Sequence, residues 1–394
     1  MLPWGIPAEF LLFVLTLLGI AVLHRHALQV ALAGLLCVVC YKLGYAGFSQ
    51  APGLQGLWRH LQHEWVMLAN LFALLTGFAI LARHFESSHL PQLLPAWLPD
   101  DWTGALLLLV LVFMLSAFLD NIAAAIIGGS VARVVFRNRV HMGYLAALVA
   151  AANGGGAGSI VGDTTTTMMW LSGISPLQVM QAYLPAGIAL LVFGLIAAHQ
   201  QQRFAPIEKD APPDVRLDQP RLLVVLAILL AAIAANVTVN VFAPDMAQRW
   251  PCIGLAVWGT ILLTAWIRKP DWSVLPGSVS GAVFLLSLVL MASMMPVTSL
   301  PAPSLASSFL LGWVSAVFDN IPLTRLALEQ GGYDWGLLAY AVGFGGSMMW
   351  FGSSAGVALC NQFPQGRDVA AWLIHGWPVL LAYVTGFAVH VLFP

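Results

Sequence analysis

The chain has 394 residues, 60% of them hydrophobic and only 8% charged, with 15 Trp and a formal net charge of −1. Together with a mean hydropathy of +0.86, this excludes an ordinary soluble globule and points to an all-α polytopic membrane protein. The near-neutral balance gives no electrostatic case for nucleic acid, so the bilayer is the expected partner.

Taken in chain order, the opening Met-Leu-Pro-Trp-Gly carries no basic region and reads as the start of a first span rather than a removed signal. Apolar segments able to span run over 5–23, 28–48, 65–82, 144–171 (interrupted), 179–198, 222–242, 252–267, 282–295, 337–360 (interrupted) and 372–393. Cys37 and Cys40 fall inside the second and read as small buried side chains, with no disulfide role. His60, His63 and Glu64 have helical metal-ligand spacing but lie before the third span, in a segment that reads as interfacial. Residues 90–102, with Pro91, Pro95 and Pro99, are expected along the cytoplasmic interface, and 199–220 form the one long hydrophilic connector.

Two further apolar stretches, 104–132 and 304–328, each carry a central Asp-Asn. As one helix the first would be about 44 Å long, beyond a hydrocarbon core of about 30 Å, yet it is too short for two spans of about 20 residues. A re-entrant hairpin with Asp120-Asn121 at its tip fits better, provided that the tip is buried in protein or lines a cavity. Ser315-Ala-Val-Phe-Asp-Asn-Ile-Pro322 repeats the Ser-Ala-x-x-Asp-Asn-Ile of residues 116–122 at an offset of 199. Each hairpin is followed by a span broken by Gly-Gly, five residues and Gly, at Gly155–Gly162 and Gly345–Gly352. The expected architecture is two repeats, 1–198 (hairpin 103–136, broken helix 144–171) and 221–394 (hairpin 304–332, broken helix 337–360), joined by a cytoplasmic linker at 199–220. Each holds three spans, a hairpin, a broken span and one more span, and this odd number of crossings inverts the second copy. With the first inter-span loop inside, twelve Lys and Arg, Arg25 and Lys209 among them, fall on the cytoplasmic side, against Lys42, Arg59, Arg249 and Arg325 outside. Both termini are then expected outside the cell.

Ionisable groups at membrane depth cost roughly 2.5 to 3.5 kcal/mol even on lenient insertion scales, so they mark function. The opposed tips and broken spans collect Asp120, Asn121, Asn153, Ser159, Asp163, Thr164, Thr165, Thr166, Asp319, Asn320, Ser347, Ser353 and Ser354. Carboxylate, amide and hydroxyl oxygens suit a hard cation such as sodium or lithium, with Asp120, Asp163 and Asp319 as the acids that hold either the metal ion or a proton. Each Asp could instead serve only as a helix cap, and threonine hydroxyls often bond back to their own helix. Arg325 and Glu329, at i and i+4, read as a local ion pair, or as groups facing an outer vestibule. No nucleophile, base and orienting group recur together, so no enzyme and no cofactor beyond the coupling ions is expected.

At Leu119-Asp-Asn-Ile122, Asn153–Trp170, Ala316-Val-Phe-Asp-Asn-Ile-Pro322 and Gly345–Val357 the sequence resembles the ion transporter superfamily, which includes arsenite permeases and citrate and dicarboxylate transporters. The closest likeness is to NhaD-type sodium/proton antiporters, and it extends over nearly the whole chain. The resemblance implies secondary active transport by elevator-type alternating access, a homodimer formed through a scaffold domain, and a cation site at the hairpin tips in a bacterial-type inner membrane. Sodium-coupled transport of citrate, a dicarboxylate or another small anion is the alternative that it implies.

Overall fold

In the computed structural model the described residues are 7–23, 26–48, 51–159, 162–208 and 216–393, and every regular element among them is helical. The opening Met-Leu-Pro-Trp-Gly, Arg25, Ile160, Val161 and Lys209 lie outside them.

The first half begins with α1 (Ala8–Val22) and α2 (Ala27–Tyr41), which closes in a π-helical turn over Lys42–Ala46. Helix α3 runs unbroken from Gly53 to Glu86, 34 residues, where the sequence suggested a span only from residue 65. His60 and Glu64 are therefore part of the buried face of this long helix. Next come α4 (Leu90–Trp97), the pair α5 (Trp102–Ser116) and α6 (Asn121–Val135), the interrupted helix α7 (Met142–Ala157) and α8 (Thr164–Leu171), then α9 (Pro176–Met180) and α10 (Tyr183–Phe204). Helix α10 extends into the expected connector, whose Glu208 N–H also donates to Val135 O at 2.8 Å.

The second half repeats the order: α11 (Gln219–Phe242), α12 (Pro244–Arg249), α13 (Cys252–Thr264), α14 (Leu275–Ser293), the pair α15 (Leu305–Ser315) and α16 (Asn320–Gln330), and the interrupted α17 (Trp335–Gly345) and α18 (Ser354–Gln362). It ends in α19 (Val369–His375) and α20 (Trp377–Leu392), bent by 57° where one straight span was expected. Gly376 sits at the bend, and Pro378 lacks the N–H that a continuous helix would need. Among the described residues five helices are long and apolar enough to cross a membrane alone, or six if the bent pair is one span. The other expected spans are shorter or interrupted.

The helices pack in two groups, each drawing on both halves of the chain. Helix α7, buried from Gly143 to Ala157, is the centre of one, surrounded by α5, α6, α10, α17 and α18. Its Ala- and Gly-rich sequence permits that close approach, as small residues do in membranes. In the other group α3 packs on α11, α13 and α14, and α14 on α2. Leu71, Met168, Leu285, Val289 and Ile321 fill the seam between them, where α3 and α14 meet α8 and α16. Cys37 and Cys40 are exposed on α2, contrary to expectation, because that helix turns Ala31, Gly34 and Val38 inward instead.

The two interrupted helices break in the same way. A Cβ on Gly155 would lie 2.0 Å from Phe113 O, and one on Gly345 would lie 2.4 Å from Gly312 O. Only glycine lets the backbones of α5 and α7, and of α15 and α17, come this close. Ser116 and Ser315 then pin the turns, donating their hydroxyls to Ala152 O and Val342 O respectively.

Candidate functional site

Each acid of the sequence inventory begins a helix. Asp120 caps α6 by accepting from the Ile122 N–H at 3.3 Å, Asp163 caps α8 by accepting from Thr165 N–H at 3.0 Å, and Asp319 caps α16 by accepting from Ile321 N–H at 3.0 Å. The capping reading thus holds at all three positions. A cap of this kind uses one lone pair of one oxygen, and the carboxylate keeps further acceptor sites. Ser353 caps α18 in the place that Asp163 takes in the first half, accepting from Gly356 N–H at 3.3 Å.

Asn153, wholly buried on α7, joins the halves. Its Nδ2 donates to Ser347 Oγ at 3.0 Å and to Ser353 Oγ at 2.9 Å, while its Oδ1 accepts from Asn121 Nδ2 at 3.2 Å. Asn121 Nδ2 donates also to Asp163 Oδ2 at 3.3 Å, and Ser354 Oγ donates to Asp319 Oδ2 at 3.3 Å. Electrostatically Asp163 is the middle acid, in mutual repulsion with both Asp120 and Asp319. Asn153 thus joins the N-termini of α6 and α18 directly, while α8 is reached through Asn121 and α16 through Ser354. The three carboxylates do not form a tight chelate: among the described residues no three His, Cys, Asp or Glu side chains are grouped to hold a metal ion.

The remaining residues of the inventory divide. Thr164 lines, with Asp120 and Thr167, a cavity of about 390 Å³ whose lining continues along α3 to Arg83 and Glu86. Thr165 contributes its N–H to the cap, whereas Thr166 spends its hydroxyl on the carbonyls of Asp163 and Ser159. Ser159 donates to Ala117 O at 2.6 Å and accepts from Gly162 N–H at 2.9 Å, which holds the break against the α5–α6 turn. Asn320 is buried like its counterpart Asn121, but its Nδ2 has no hydrogen-bond partner among the described residues.

Arg325 and Glu329 stand apart from this network. Their ion pair is present, and Arg325 also reaches across the seam to Glu64 of α3, donating to both of its carboxylate oxygens at 2.8 Å. Sequence reasoning singled out Glu64 only for its metal-ligand spacing with His60 and His63 and missed its pairing with Arg325, because Arg59, His60 and His63 ended the apolar run. The available signal was the helical stripe His60, Glu64, Leu71, Leu74, all buried. His60 Nε2 shares a hydrogen bond with Ser293 Oγ at 2.9 Å.

The profile of the citrate transporter family matches residues 10–345 of the chain. The chain belongs to this family. The transporter is also similar to two proteins of Arabidopsis thaliana: Sodium/proton antiporter 1, at 28% identity over 323 residues, 72% of the transporter and 55% of that protein, and Sodium/proton antiporter 2, at 28% over 329 residues, 71% and 74%. A shorter match joins it to the Na(+)/H(+) antiporter NhaD of Alkalimonas amylolytica, 34% identical over 90 residues, which is 22% of the transporter and 19% of that protein. The transporter spans about half the length of the first of these relatives. The family match places the chain in the ion transporter superfamily, and its fold is multi-span and helical.

Proposed function

We propose that the protein exchanges sodium or lithium for protons across a bacterial-type plasma membrane, with the cation and the proton competing for the carboxylates of Asp120, Asp163 and Asp319. The observation that carries this is the meeting of four helix N-termini with three acids around Asn153. Each N-terminus contributes about half a positive elementary charge, so four supply about two. Three carboxylates then leave an excess of about one negative charge, which one monovalent cation or one proton balances. An organic anion would add to the excess. Oxygen ligands for the ion come from Asp163, with Asn121, Asn153 and the serines at positions 347, 353 and 354 around it, and Asn320 has an amide still unspent. The cavity beside Asp120, Thr164 and Thr167 supplies the approach from the Arg83 end.

In this reading the α5–α6 and α15–α16 pairs are re-entrant hairpins of two inverted repeats, spanning 1–198 and 221–394. The group built on α7 moves past the group built on α3 as an elevator, the second forms a homodimer, and both termini face outward. The names of the antiporter relatives support the exchange. The family's description as citrate transporters supports a second reading, sodium-coupled uptake of a carboxylate, with the Asn320 amide as a donor to it.

The test uses purified protein in proteoliposomes with an imposed pH gradient, followed by a pH dye as sodium, lithium, potassium or citrate is added. Dissipation by sodium or lithium that is lost in Asp120→Asn, Asp163→Asn and Asp319→Asn is the expected result. No response to any cation, with labelled citrate accumulating on a sodium gradient, gives the role to the second reading.

A further inference from the structure

A second cavity lies away from the three-acid network. It measures about 790 Å³ and is lined by His63, Glu64 and Asn70 of α3, Trp170 of α8, and Arg325 and Glu329 of α16. Its charged groups are unevenly matched. Arg325 Nη2 alone donates to both oxygens of Glu64 and to Glu329 Oε1, while Nη1 donates only to Met67 Sδ at 2.9 Å. Arg325 Nε, on a side chain 5% exposed, has no partner among the described residues. A guanidinium has five N–H donors, yet here two carboxylates crowd onto one nitrogen. One positive charge faces two negative ones where desolvating each uncompensated ion costs several kcal/mol.

The neighbouring groups do not repair the imbalance. Facing the cluster are His63, beside Glu329, and His60, which interacts with Glu64 and Arg325. Lys42, beyond His60 in the π-helical turn, has its own opposite charge in Glu9 of α1. From α14 only the neutral Ser293 reaches in, to His60. Two carboxylates sharing one site relieve their repulsion by holding a proton between them.

We propose that Glu64 and Glu329 form a second protonation site that shares one exchangeable proton around Arg325, open to the aqueous phase through the large cavity. The proton moves between water and a carboxylate oxygen, and no other bond changes. The site lies across the seam: Glu64 belongs to α3, whereas Arg325 and Glu329 lie nearly two and nearly three turns along α16 from Asp319. Loss or gain of this proton therefore changes how firmly α3 grips the helix that Asp319 caps. The consequence for ion exchange rests on the proposed antiport; the shared proton does not.

The experiment is infrared titration of the purified full chain in H2O and D2O, without sodium, reading the protonated-carboxyl absorption. Asp163→Asn is expected to leave one component of that absorption intact, while Glu64→Gln and Glu329→Gln each abolish this same component, because either change leaves the other Glu as the sole ionised partner of Arg325. A component that survives either glutamine variant overturns the proposal, as does its absence from the wild type, which would put the proton on His60 or His63. Glu329 lies partly exposed at the cavity wall, so Glu329→Ala serves if a glutamine variant elutes as aggregate. Because nothing is transported here, antiport can fail while the shared proton stands, and the reverse.

Discussion

Asn121 and Asn320 follow equivalent acids, yet only Asn121 finds acceptors, because Asn153 and Asp163 of the first half have Gly343 and Ser353 as counterparts in the second. Asn121→Ala should lower stability by about 1–3 kcal/mol by stranding buried partners. Asn320→Ala should cost little in thermal unfolding and show its effect in ion-dependent transport instead. Equal unfolding midpoints for the two variants in detergent would contradict this. Asn153→Ala should be the most damaging of the three, since its amide joins both serines and Asn121. The acids were legible in the sequence, because a charge within an apolar run is costly and conspicuous. Glu64 was not, because it lies among other polar residues and its partner is 261 positions away.

For the helices, boundaries followed local chemistry where a cap was present. Asp101, Asp120, Asp163, Ser304 and Asp319 each start a helix close to where the sequence put one. The misread boundaries lack such marks: α3 begins after Pro52 and α20 after Gly376, both without a side-chain cap. The breaks themselves depend on bare backbone. Gly155→Ala and Gly345→Ala, each driving a methyl into a carbonyl oxygen, should each cost about 1–3 kcal/mol or more. Gly187→Ala and Gly259→Ala, where a Cβ meets nothing within 4 Å, are the controls and should unfold like the parent protein. Midpoints that fall equally in all four variants would show that the close approach is not what matters.

Over the whole molecule, the order of elements was readable but their grouping was not. Lipid-facing and core-facing surfaces are both apolar, so the pattern does not say that α1–α3 pack with α11–α14 rather than with their own half. Asp271, ahead of α14 and outside the candidate spans, accepts from Arg83 at the end of α3 at 2.9 Å. The Ser273 hydroxyl and Arg83 together hold the Asp271 carboxyl down at about 2. A depressed carboxyl stabilises the fold above its unfolded value of about 3.9 and loses that contribution as pH falls through its folded one. Unfolding curves of the wild type and Asp271→Asn should therefore differ at neutral pH and converge as pH falls from about 4 to about 2. The same separation in strong acid would exclude the pair as the cause.

Asp163 and Ser353 occupy matching caps of the two interrupted helices, one an acid and the other a hydroxyl. Two identical half-sites would contain an even number of carboxylates, whereas this protein has three. The molecule is thus handed at its centre: the donors met on the side of the first half differ from those on the side of the second, although the backbone around them repeats. Exchanging the two residues, Asp163→Ser with Ser353→Asp, keeps the charge and reverses that hand, so the doubled variant is the one in which the preferred side of ion entry should change places.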